Sequence, residues 1–65
     1  MPSLYVGDIL YGYCGGCFDD SYNEKIVLHV GRDYVVVREQ FTGDALLYNG
    51  NPADLTEYLT EEEYD

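Results

Sequence analysis

Positive charge is the scarcest property of this 65-residue chain, which has three Lys and Arg residues against 13 Asp and Glu and a formal net charge of −10. Such a chain cannot neutralise phosphates with its own cations, so DNA, RNA and anionic membranes would repel it. We therefore expect no direct binding to nucleic acid or to a membrane. A protein partner with a basic surface is favoured, although acidity can also serve only to keep a small protein soluble.

Long apolar runs and targeting signals are also missing. No segment approaches the roughly 20 apolar residues of a membrane span. The N-terminal stretch MPSLYVGD has neither the basic region nor the apolar run of a secretory signal. We therefore expect the chain to act in the cytoplasm of the cell that makes it, where a structural disulfide is not the default for two cysteines.

Tryptophan is absent and phenylalanine occurs twice, whereas tyrosine occurs eight times. A chain this short is near the lower size limit of a domain that folds alone, so nearly every large apolar side chain must serve its core. Tyrosine can bury its ring while its hydroxyl stays in water, which suits both a thin core and a contact surface. We predict one small domain over residues 1–59, followed by an acidic tail at 60–65.

The spacing of apolar residues predicts a mainly β fold. A first strand is predicted from Leu4 to Tyr13. Its more uniformly apolar face consists of Tyr5, Ile9, Tyr11 and Tyr13, and it should face the core unless a β-bulge at Gly7-Asp8 changes the assignment. Two β-branched runs, EKIVLHV and DYVVVREQ, flank a turn and predict a β-hairpin. One register would place four hairpin side chains on a shared face: Leu28, Val30, Val35 and Val37.

A second turn at 41–44 leads into a short strand, ALLYN, and then the pattern becomes helical. Asn51 can cap a helix that begins with Pro52, and Leu55, Tyr58 and Leu59 form one apolar stripe, so a short helix is predicted at about 52–59. Short strands with a terminal helix favour a small SH3-like antiparallel barrel or a strongly bent sheet, because closing a sheet removes its edges. The alternative is a flat three-stranded sheet under the helix, and an open edge strand could pair to form a homodimer.

Both cysteines, Cys14 and Cys17, lie in the stretch YGYCGGCFDD. A thioredoxin-type site needs a helix that lowers the pKa of the first thiol, whereas here two aspartates follow and would raise it. The pair is also half of a zinc site, but only His29 and carboxylates remain to complete it. We expect unbridged, partly buried thiols in a tight turn and no cofactor, with metal binding at Cys14 and Cys17 as the weaker alternative.

Nothing in the sequence points to catalysis. His29, the only histidine, lies within a predicted strand, and no Ser, Cys or metal-ligand pattern is associated with it. A structural or surface role is therefore expected for His29. Because no nucleophile–base pair is apparent, an enzyme is the least favoured class.

Aromatic and acidic residues concentrate in the first loop and near the C-terminus. In an SH3-like barrel this loop borders the groove that holds extended or proline-rich peptides. The predicted partner-binding residues are Tyr11, Tyr13, Phe18, Asp19, Asp20, Tyr22, Glu57 and Glu61. If the loop and the helix lie on one side, their acids form a single negative face, which could imitate the charge of a nucleic acid. The open alternatives are that the tyrosines complete the core and that the acids form an ordinary solvated surface.

Several segments together resemble small uncharacterised proteins of actinobacterial bacteriophages, mycobacteriophages in particular: VGDILYGYCGG followed by DSY, then DYVVVRE, then NPADLTEYL. The resemblance implies a phage product in the cytoplasm of an infected host cell, and it assigns no catalytic residue. With the charge pattern, it predicts a non-enzymatic protein that binds and modulates a host protein. The alternative is a Cys-dependent metal-binding or self-assembling structural module.

Overall fold

The computed structural model describes residues 3–18 and 22–59, and in these ranges the chain forms one antiparallel sheet in the order β1-β2-β3-β4. The strands are β1 (Ile9–Leu10), β2 (Lys25–Val30), β3 (Tyr34–Glu39) and β4 (Ala45–Asn49). A short 3₁₀ turn, Cys14–Gly16, precedes β2, and a 3₁₀ helix, Pro52–Tyr58, follows β4. The mainly β prediction is therefore confirmed. Within the described ranges the sheet is open, with β1 and β4 at its edges.

The first strand is much shorter than the predicted Leu4 to Tyr13. Gly7 N donates to Val27 O at 2.9 Å, while Val27 N donates to Asp8 O at 2.8 Å, so two residues of one strand oppose a single residue of the next. This is a β-bulge, and the φ of +97° at Gly7 is one that glycine adopts without strain. The bulge confines regular pairing to Ile9–Leu10.

The core face of this segment is the opposite of the predicted one. Leu4 and Leu10 are buried, whereas Tyr5 is 66% exposed and Tyr13 is 39% exposed. The assignment of Tyr5, Ile9, Tyr11 and Tyr13 to the core is therefore wrong. The physical reason is the register with β2: Leu10 lies opposite the buried Lys25 on the core side, so Ile9, opposite Ile26, lies on the other side of the sheet.

The central hairpin is formed by β2 and β3, as predicted, with a different alignment at one point. Pairing runs from Lys25 opposite Glu39 to Val30 opposite Val35, with a register shift between Val27 and His29. The predicted shared face was wrong at Leu28, which is 43% exposed. Val27 is buried in its place, alongside Val35 and Val37.

The core lies between one face of the sheet and a cover made of the first loop and the 3₁₀ helix. The sheet contributes Val27, Val35 and Val37, the loop contributes Cys14 and Phe18, and the helix contributes Leu55; Leu4 and Leu10 complete the cluster. The 3₁₀ helix begins at Pro52, and the Asn51 side chain accepts a hydrogen bond from the amide of Ala53 at 3.0 Å. The predicted cap and the apolar stripe are confirmed, because Leu55 is buried and Tyr58 and Leu59 pack against the core.

The opposite face of the sheet is apolar and lacks such a cover in the described ranges. Cross-strand pairing places Ile9 beside Ile26, and Val36 between His29 and Leu47. Leu47 is 53% exposed. We call this surface the outer face. No helical segment in residues 3–18 and 22–59 has the length and apolar character needed to cross a membrane.

Candidate partner-binding surface

The two glycines between the cysteines form a tight turn that brings the first loop against the 3₁₀ helix. Gly15 and Gly16 have φ of +63° and +82°, and Cys17 N donates to Cys14 O at 3.0 Å. A β-carbon on Gly15 would lie 2.7 Å from the hydroxyl oxygen of Tyr58. The Gly-Gly sequence is thus required both by backbone conformation and by the close approach of the helix.

The cysteine thiols lie in surroundings that disfavour the thiolate. Both are free, with Cys14 buried and Cys17 half-buried. Burial raises the pKa of Cys14, and Lys25 offsets this only in part. Burial also raises the pKa of Cys17, assisted by the negative charges of Asp54 and Glu57. Within the described ranges, no three His, Cys, Asp or Glu side chains are grouped closely enough to hold a metal ion.

The first loop and the 3₁₀ helix lie on the same side of the molecule. Tyr11 N donates to Tyr58 O at 2.9 Å, and Cys17 is close enough to Asp54 and Glu57 for their charges to raise its pKa. The condition for a shared face, that loop and helix are neighbours, is therefore met by the described residues. We call this side, residues 11–18, 22–24 and 51–58, the cover face.

Tyrosines on the cover face form an exposed aromatic pair. The rings of Tyr13 and Tyr22 stack with centroids 4.6 Å apart and planes 21° from parallel. Tyr22 is 70% exposed. Tyr11 is half-buried. Phe18, by contrast, is 1% exposed and lies in the core, so its assignment to the contact surface is corrected: it supports the loop from below.

A buried lysine fastens this loop to the sheet. Lys25 is fully buried, and its Nζ donates to Gly12 O at 2.8 Å and to Asn23 O at 2.6 Å. These two carbonyls belong to opposite ends of the loop, and Nζ also lies 5.8 Å from the centre of the Phe18 ring. The Asn23 side chain in turn donates to Glu39 Oε1 at 3.1 Å.

The burial of Lys25 leaves the exposed charge of the cover face entirely acidic in the described ranges. The other cations of the chain are Arg32 and Arg38. Arg32 lies in the β2–β3 turn, and Arg38 pairs with Ile26 and Ala45 across the outer face. Both arginines thus lie away from the cover face, although acids such as Asp33 and Asp44 lie in the turns near them.

A shallow cleft lies where the end of the first loop meets the β3–β4 turn. It has a volume of about 360 Å³ and is lined by Asn23, Glu24, Gln40 and Phe41. Phe41 is 83% exposed. The backbone amide of Gln40 donates to Glu24 O at 2.8 Å, which ties the β3–β4 turn to the end of the first loop. Glu24 and Phe41 therefore place a carboxylate and an exposed aromatic ring at this cleft.

Sequence reasoning found part of this surface and missed part of it. Of the predicted partner-binding residues, Tyr11, Tyr13, Tyr22 and Glu57 lie on the cover face, while Asp19, Asp20 and Glu61, with the predicted tail at 60–65, are outside the described residues. Phe41 and Asp54 were missed. The one available signal was Phe41, since a large apolar residue in a turn has little reason to be there for packing. In comparisons with known proteins, no family model, curated protein or solved structure matched the chain.

Proposed function

We propose that the chain is a non-enzymatic binding protein that docks, through its cover face, on a basic region of another protein. The observation that carries the proposal is the single sign of the exposed charge on the cover face: Lys25 is buried, and every exposed charged side chain described there is acidic. A face of one sign attracts a partner of the opposite sign and speeds association with it. The resemblance to actinobacterial phage proteins makes a host protein the expected target.

The aromatic residues define the chemistry that the partner should present. Tyr13 and Tyr22 expose a stacked pair, and the cleft with Glu24 and Phe41 begins at the next residue, Asn23. Aromatic faces bind proline rings and the cationic groups of Lys and Arg, and carboxylates pair with the same cations. An extended segment rich in Lys, Arg and Pro is therefore the ligand class that fits best.

An SH3-like arrangement is part of the proposal. Its support is the order of elements: a short first strand, a long loop, two hairpins and a 3₁₀ helix that returns to the first strand, where Tyr58 O accepts from Tyr11 N. SH3 domains bind extended peptides beside that long loop. A groove that normally holds nucleic-acid phosphates is another basic surface that the acidic face would suit.

A thiol-dependent function is less well supported. The pKa values of Cys14 and Cys17 are both raised, whereas a nucleophilic, redox or metal-binding cysteine needs its thiolate stabilised. The glycines between them are explained by the turn and by the contact with Tyr58. We therefore assign the pair a packing role.

The test is affinity capture from nuclease-treated actinobacterial lysate with three matched baits. These are the tagged full chain, the cover-face variant Glu24→Gln/Glu57→Gln and the control variant Asp33→Asn/Asp44→Asn, whose acids lie in the β2–β3 and β3–β4 turns. Both variants change the net charge by the same amount. We expect a salt-eluted partner whose affinity falls roughly twofold to thirtyfold with the first variant and hardly changes with the second, since two exposed ion pairs contribute about 0.2–1 kcal/mol each.

Two further results decide between versions of the proposal. Equal loss with both variants would mean that only net charge matters, and undiminished binding by Glu24→Gln/Glu57→Gln would refute charge-driven docking on the cover face. If the captured protein binds DNA or RNA, displacement of the chain by a nucleic-acid duplex would support imitation of phosphate charge. A Tyr22→Ala variant that binds normally would remove the aromatic pair from the contact.

A further inference from the structure

The outer edge of β4 presents backbone groups that have no partner among residues 3–18 and 22–59. In the β3–β4 pairing, Glu39 N donates to Asp44 O and Gly50 N donates to Asp33 O. Antiparallel pairs alternate between bonded and non-bonded positions. The β4 residues bonded to β3 are therefore the even-numbered ones, 46 and 48, and the N–H and C=O groups of Ala45, Leu47 and Asn49 point away from the sheet.

This edge lacks the features by which edge strands normally avoid pairing. The strand Ala45–Asn49 contains no charge, no proline and no bulge, in a chain with 13 acidic residues. Leu47, at its centre, is 53% exposed. An uncharged edge strand with an exposed apolar residue is a template for another strand.

We propose that the edge of β4 pairs antiparallel with β4 of a second copy of this chain, about a two-fold axis at Leu47. This axis sets Leu47 opposite Leu47 of the partner and Ala45 opposite Asn49 of the partner, so every outward N–H and C=O of these residues finds an acceptor or a donor. It is the register in which all three outward-facing residues are bonded at once.

The same axis joins the outer faces of the two copies. Val36 and Leu47 are cross-strand neighbours, so the row Val36–Leu47 would continue directly into Leu47–Val36 of the partner. Two exposed leucine side chains become a directly opposed pair, which shields apolar surface from water.

Electrostatics favour the β4 edge over other parts of the molecule as the place where two copies meet. Two chains of net charge −10 repel each other, and contact through the cover faces would oppose carboxylates. At the β4 edge the axis places Asp44 opposite Gly50 of the partner, so no carboxylate faces another. Self-association should therefore strengthen as salt rises, because salt screens the remaining repulsion. Docking on a basic partner should instead weaken as salt rises. The salt dependence therefore distinguishes self-association from the proposed docking, and either can be refuted without the other.

The direct test is amide hydrogen exchange of the full chain by NMR at two concentrations, about 10 µM and about 1 mM, which bracket the weak association expected of a small interface. We expect the amides of Ala45, Leu47 and Asn49 to gain at least about tenfold protection at the higher concentration. Those of Leu46 and Tyr48, already bonded to β3, should be protected at both. Light scattering should show the mass rising from 7.4 kDa toward twice that value.

Two variants separate edge pairing from packing of outer faces. Leu47→Pro removes an outward N–H while keeping the bonds to β3, since proline is tolerated on a free edge; it should be monomeric. Ile26→Lys places a charge on the outer face away from β4 and should still dimerise. The proposal is overturned if the wild type stays monomeric at about 1 mM in high salt, or if Leu47→Pro dimerises normally. Protection of Ala45, Leu47 and Asn49 independent of concentration would equally refute it, because the chain would then cover its own edge.

Discussion

Replacing Lys25 with methionine tests whether one buried ammonium group holds the first loop on the sheet. Methionine has a similar length and no charge, so packing around the stem is largely kept. The change removes the hydrogen bonds from Nζ to Gly12 O and Asn23 O. It also removes the cation opposite Glu39, which is itself only 7% exposed.

The expected cost is a large part of the total stability. Hydrogen bonds from a charged donor contribute about 1.5–3 kcal/mol each, and removing one partner from a buried charged pair costs about 3–5 kcal/mol. We therefore expect a loss of roughly 3–5 kcal/mol. A chain of this length has roughly 3–10 kcal/mol in all, so Lys25→Met should be partly or fully unfolded at room temperature.

The assay is urea unfolding followed by far-ultraviolet circular dichroism and by tyrosine emission. Arg38→Met is the matched control, because it makes the same change at an exposed position and should shift stability by less than about 0.5 kcal/mol. Equal stability of Lys25→Met and Arg38→Met would refute the assigned role of Lys25. The double variant Lys25→Met/Glu39→Leu should be more stable than Lys25→Met alone, since it removes both buried charges.

Three further predictions concern the core, the helix cap and the thiols. Leu55→Ala should cost about 2–5 kcal/mol in urea unfolding and Leu47→Ala under about 1 kcal/mol at low protein concentration, because the first side chain is fully buried and the second is 53% exposed. Asn51→Ala should cost about 1 kcal/mol through loss of the cap, whereas Asn51→Asp keeps the acceptor and should change stability little. The folded-state pKa values of Cys14 and Cys17 are raised, so the stability they contribute is full below the unfolded value near 9.0 and is lost as pH rises through the folded values. The urea midpoint of the wild type should fall above that pH, and that of a double Cys→Ala variant should fall less. Alkylation of the thiols at neutral pH should be slower in the folded than in the unfolded chain. Fast alkylation of the folded chain would contradict the raised pKa values.

The elements with strong local signals were predictable from the sequence. β2 and β3 are β-branched runs around a short turn, and the 3₁₀ helix has its cap and first proline in place. The first strand was not predictable in the same way. Its core face depends on its register with β2, which sets Leu10 opposite the buried Lys25 and Ile9 opposite Ile26.

The residue types of the candidate surface could be predicted from the sequence, but their spatial arrangement could not. Tyr13 and Tyr22 are nine positions apart in the chain, and their stacking depends on how the loop closes. Phe18 and Lys25 show the limit of residue-type reasoning. An aromatic loop residue turned out to be core and a lysine turned out to be fully buried, because a core this small draws on the loop and on the lysine stem to fill its volume.

The burial of Lys25 links the stability of the fold to the charge of the cover face. Gly12 O and Asn23 O lie at the two ends of the first loop, and the Lys25 ammonium group binds both of them from the interior side of the loop. That position removes the one positive charge near residues 11–24 from solvent. The solvent-exposed charges on the described cover face, those of Glu24, Asp54 and Glu57, are then all negative. If Lys25 were replaced by an arginine whose guanidinium lies at the surface, the loop would lose the hydrogen bonds to Gly12 O and Asn23 O, and the cover face would gain a positive charge. Both the stability of the fold and the acidic character of the cover face would then decrease.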